Sequence, residues 1–109
     1  MSLDISIIAV RPVEIFSANI THNLNKMAEA AGLYKPLWHP EQLEPPVKLA
    51  KDLIPYLEKG LEALTARPNE FRELNSSNGW GTYDQLVEFT SNYLNACREN
   101  SDGQIRVDR

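Results

Sequence analysis

"DISIIAVR", residues 4–11, decides the fold, because it reads as a strand and a strand needs a partner. It is rich in β-branched residues, and they alternate. Ile5, Ile7 and Ala9 fall on one side; Ser6, Ile8 and Val10 fall on the other. Apolar residues on both sides predict a strand with both faces at least partly covered. Pro12 has no amide hydrogen for a ladder, so it ends the strand, bulges it or marks an edge. "VEIFS", residues 13–17, follows as a second extended piece. Clear alternation returns at the far end of the chain, in "QIRVDR", residues 104–109. Ile105 and Val107 face in, while Arg106 and Asp108 face out. That one-sided pattern predicts an edge strand. The two terminal strands have no other local partners, so they are expected to pair with each other. Two strands make a poor sheet, and a third is expected from "VEIFS" or from a second copy of the protein.

Between these ends the period changes to that of helices. In "NITHNLNKMAEAAG", residues 19–32, Leu24, Met27, Ala28 and Ala31 form one apolar stripe, with Asn19 or Thr21 as cap and Gly32 as stop. Residues 33–47 hold four prolines, which predicts an ordered loop carrying Tyr34, Leu37 and Trp38, with a helical turn opened by Pro40. Leucines recur through residues 48–66, but Pro55 interrupts them. A helix over 53–65 capped by Asp52 places Pro55 in the first turn, where amides lack intrahelical partners; a single kinked helix is the alternative. Gly60 predicts a close contact on that helix. Residues 68–74 fit a short helix begun by Pro68, with Phe71 and Leu74 inward. "TYDQLVEFTSNYLNACREN", residues 82–100, is strongly amphipathic, with Tyr83, Leu86, Val87, Thr90, Tyr93, Leu94 and Cys97 on one face. The expected fold is a single α+β domain of three main helices and a short one, packed on a small sheet built from the N- and C-terminal strands.

The bulk properties exclude several classes. The 109 residues carry a net charge of −4 with scattered basic residues, so no stripe suited to nucleic acid is visible. No apolar run approaches the roughly 18 residues that span a bilayer, and no signal peptide is visible. The single cysteine, Cys97, allows no internal disulfide, which fits the cytoplasm. Lying on the inward face of a helix, it is expected to be a buried structural thiol. His22 and His39 stand apart from each other and from any metal-ligand spacing, so neither a metal nor a cofactor is expected.

Two constellations remain. Asn19, His22 and Asn23 cluster at the start of the first helix, where free amides suit an anion but capping is the simpler use. "NSSNGWGTYDQL", residues 75–86, places Trp80 between two glycines. Thr82 and Gln85 have capping-box spacing, Asp84 complements the helix dipole, and Asn78-Gly79 is a turn dipeptide. Trp80 is expected as a buried anchor tying the last helix to the loop around Trp38. The alternative is a projecting, binding indole.

The ordered run "NITHNLNKMAEAAGLY", "LEKGLEAL", "NGWGTY", "LVEF" and "YLNAC" resembles a group of small bacterial and phage-borne proteins. The resemblance covers roughly residues 19–98. It implies a bacterial or phage origin and a chain complete in itself, and it supplies no catalytic residues. With no catalytic constellation, the expected function is a non-enzymatic interaction module, binding a protein partner or a second copy by strand addition to the one-sided C-terminal strand, residues 104–109. The alternative is a small-molecule site or enzyme in which Asn19, His22 and Asn23 meet Trp38, Trp80 and Tyr83 over a cleft.

Overall fold

A computed structural model describes residues 2–9, 14–76 and 79–109. It is a mixed α+β fold with a three-stranded antiparallel sheet. The strands are β1 (Ser2–Ile8), β2 (Glu14–Thr21) and β3 (Gln104–Asp108), in the order β2-β1-β3. The two chain ends therefore pair as expected, with Ile5 opposite Val107 and Ile7 opposite Ile105. The third strand contains the "EIFS" of the second extended piece. Pro12 and Val10 lie outside the described residues, as does Asn78.

The two faces of β1 are covered unequally. Leu3, Ile5 and Ile7 are buried, whereas Ser2 and Asp4 on the opposite side are exposed and Ser6 and Ile8 half-buried. All the helices sit on one side, so the other face meets solvent, as is usual for antiparallel sheets.

A correction concerns residues 19–21. They prolong β2 rather than open a helix. Ala18 and Ile20 pair with Ile5 and Leu3, and that ladder outweighs the local capping preference of Asn19. Thr21 does cap, accepting from the Asn23 amide at the head of a short 3-10 turn, His22–Leu24. The helix proper, α1 (Asn25–Ala30), follows it. Gly32 ends α1 at φ 77°, and the amides of Gly32 and Leu33 turn back to Glu29 and Ala28.

The proline-rich loop contains a helix that the sequence reading did not expect, α2 (Tyr34–Trp38). Pro36 is its third residue, where the missing amide would have had no intrahelical acceptor. Pro40 opens a 3-10 turn, Pro40–Gln42, as expected.

Helix α3 (Ala50–Ala66) runs unbroken through Pro55, against the preferred reading of a helix from residue 53 capped by Asp52. Its start is set by tertiary bonds. The amides of Ala50 and Lys51 donate to the carbonyls of Gly103 and Ser101, just before β3. The lost bond at Pro55 is offset by Leu53, Leu57 and Leu64, all fully buried. Gly60 makes the expected close contact: a Cβ there would sit 2.3 Å from Cγ of Leu33.

The short helix α4 (Pro68–Arg72) begins at its proline and buries Phe71. Leu74 turns out instead, 45% exposed, because the chain has left the helix by then. Helix α5 (Tyr83–Glu99) has the full Thr82–Gln85 capping box. Its inward face, from Tyr83 through Tyr93 to Cys97, packs against α3 and β2. No described helix is long and apolar enough to cross a membrane.

Candidate functional site

The geometry of the ladder determines which backbone groups are left over. The Ile105 amide donates to the Lys48 carbonyl, 2.8 Å away and outside the sheet. Residues in an antiparallel strand alternate in the direction of their backbone groups, so Ile7, opposite Ile105, turns its own toward β2. Ile7–Phe16, Ile5–Ala18 and Leu3–Ile20 are then the hydrogen-bonded pairs. It follows that Ser17 and Asn19 point their N–H and C=O groups away from β1, off the outer edge of β2. No turn or loop among the described residues takes them up. On β3, the strand expected to dock a partner, the chain at Lys48 and Leu49 already lies along Gln104 and Ile105, so the open edge is moved to β2.

The open β2 edge borders a groove of about 860 Å³ between β2 and α5. Phe16, Ala18 and Ile20 line it from the strand; Gln85, Glu88, Phe89, Asn92, Ala96 and Glu99 line it from the helix. The floor is fixed by aromatic contacts. Phe16 stacks on the buried Tyr93 at 6.1 Å, and Phe89 meets the same ring edge-on at 5.9 Å. From Gln85 to Glu99 the helical wall is about 21 Å long, the length of roughly six extended residues. The lining carries the carboxylates of Glu88 and Glu99 and, among the described residues, no Lys or Arg.

Trp80 stands at the Thr21 end of this groove and is 68% exposed. The expected buried anchor is therefore corrected. Gly81, at φ 99°, sets the chain so close to the end of β2 and the turn after it that a Cβ would lie 3.2 Å from the Thr21 methyl and 3.1 Å from the Asn23 Cβ, and the Asn23 side chain donates to the Trp80 carbonyl at 3.2 Å. The backbone is anchored, and the indole extends beyond it.

The other sequence-derived candidates separate into distinct contacts. Asn19 lies on β2 opposite Asp4 and lines the groove with Trp80. His22 meets Trp38 edge-on at 6.1 Å, and neither lines the groove. His22 Nε2 is buried with no hydrogen-bond partner among the described residues, and Trp38 is a buried core residue stacked on Tyr34. Tyr83 is buried at a structural joint: its hydroxyl donates to the Leu64 carbonyl at 2.8 Å, its ring stacks on Phe71, and Arg72 lies over it at 4.7 Å. Cys97 is fully buried, and burial pushes its thiol up to about 12, so it offers no thiolate at neutral pH.

Sequence reasoning missed Phe16, Ala18 and Ile20 on the strand, and Glu88, Asn92 and Glu99 on the helix. Both signals were present. Residues 16–21 alternate apolar and polar, and the polar flank of α5 recurs every three or four residues. What no pattern showed was that the two stripes lie side by side. Comparison with protein-family models, with curated proteins and with solved structures gives no match.

Proposed function

We infer that the protein is a non-enzymatic interaction module that takes up an extended peptide segment by strand addition to the outer edge of β2. The observation that carries this reading is the outward-facing backbone of Ser17 and Asn19 beside a groove of matching length. An added strand would pair with these groups and send every second side chain down between β2 and α5. Cross-strand neighbours share a face, so the residues bonded to Ser17 and Asn19 would point to the open side of the sheet, and those between them into the groove.

The test is an amide-resolved NMR titration with the peptide Thr-Gln-Thr-Val-Thr-Gln-Thr at millimolar concentration. The amides of Ser17 and Asn19 are expected to shift downfield and gain protection from exchange. Methylating the backbone nitrogens of the threonines at positions 3 and 5 should abolish the effect, because these would donate to the edge. Equal binding of the methylated peptide, or shifts confined to other parts of the molecule, would overturn the reading.

A further inference from the structure

We propose that the segment bound at the β2 edge is basic, with Lys or Arg side chains entering the groove at two positions four residues apart. This inference rests on the strand-addition reading above and names the partner's chemistry. Glu88 and Glu99 both stand on the α5 wall, with no cation of the chain among the described lining residues to neutralise them. The four arginine ion pairs of the described residues lie elsewhere: at Arg67 and Glu70, Arg72 and Asp84, Arg98 and Glu58, and Arg109 and Glu41.

Geometry sets the spacing. Eleven residues of helix separate the two carboxylates by about 16 Å. Side chains on one face of a strand that are four residues apart start about 13 Å apart. Lysine and arginine side chains are long enough to close the difference. Between the two charges the groove presents the rings of Phe16 and Phe89 and the methyl of Ala96, which suit one apolar side chain at the middle position. The same charges argue against a second copy of this chain. Pairing β2 with itself would bring two acidic walls together across one groove, a like-charge juxtaposition that suppresses association.

The experiment repeats the titration with Thr-Lys-Thr-Val-Thr-Lys-Thr beside its glutamine and glutamate counterparts, in 50 mM and 500 mM salt. The lysine peptide is expected to bind about five- to tenfold tighter than the glutamine peptide at low salt, as two exposed ion pairs allow. The gap should shrink at high salt and close in the variant Glu88→Gln/Glu99→Gln. Both positions are exposed helix sites, so that variant keeps its fold. If all three peptides move the Ser17 and Asn19 amides equally, the charge inference fails while strand addition stands. An unchanged lysine preference in the double variant overturns the charge inference as well. If no peptide moves those amides, the groove reading itself fails. If raising the protein concentration alone moves them, the occupant is a second copy and the proposal is wrong.

Discussion

Replacing Tyr83 by Phe isolates one oxygen at the joint between three helices. The hydroxyl donates to the carbonyl of Leu64, which lies in the last turn of α3. The last carbonyls of a helix have no intrahelical partner, and the residue four positions on, Pro68, has no N–H to offer. Tyr83 is thus a C-terminal cap supplied from another helix. Leu64 is fully buried, so losing the donor strands an acceptor with no access to water. Such a loss costs about 1–2 kcal/mol. The ring stays, and with it the stacking on Phe71 and the Arg72 guanidinium at 4.7 Å. With an unfolding entropy of about 2.1 cal/mol/K per residue, the chain should lose roughly 4–9 °C in Tm. Urea titration by far-UV circular dichroism should show a lower midpoint with an unchanged slope. Tyr83→Ala, which also removes the ring, should cost about 3–5 kcal/mol. A Tyr83→Phe variant within about 0.3 kcal/mol of the parent, well below the cost of a stranded acceptor, would refute the assignment of this bond as the cap.

Gly60→Ala should destabilise by about 1 kcal/mol, although alanine favours helices, because the added methyl meets Cγ of the fully buried Leu33 at 2.3 Å and overpacking outweighs propensity. In a Leu33→Ala background the same change should become neutral or stabilising, as read by chemical denaturation. Cys97 should resist thiol reagents at pH 8 until the protein is unfolded, since burial raises its thiol from 9.0 to about 12. Its folded value lies above the unfolded one, so its contribution to stability is complete below pH 9 and is lost as pH rises from 9 toward 12; Tyr93, raised by burial and by nearby Cys97, adds in the same direction. Cys97→Ala should flatten that alkaline decline, and an equally steep decline would show that other groups cause it. Acrylamide should quench Trp80 readily and the buried Trp38 hardly at all, so Trp80→Phe should remove most of the quenchable emission. Unchanged quenching in that variant would place the exposed indole elsewhere.

Features determined by neighbours along the chain were legible in the sequence. The Thr82–Gln85 capping box, Gly32 as a helix stop, Pro40 and Pro68 as helix starters and the buried face of α5 all depend on contacts within a few residues. The alternation of Ile105 and Val107 was enough to predict an edge strand, and the lack of other partners was enough to join the chain ends. Only the tertiary structure decided matters of competition between distant groups. Asn19 is a good cap by itself, but the pairing of its neighbours Ala18 and Ile20 with Ile5 and Leu3 holds it in β2. Pro55 argues for a break, yet the carbonyls of Ser101 and Gly103 fix the start of α3 three residues earlier than the capping reading placed it, and buried leucines carry the helix through. Trp80 is large and apolar, and burial was the natural expectation; Gly81 packs so tightly on Thr21 and Asn23 that the backbone takes the anchoring place and leaves the indole outside. The groove is of the same kind. Its strand edge and its helical wall are separate periodic patterns about 65 residues apart in sequence, and a pattern records which side a residue faces, not what stands opposite.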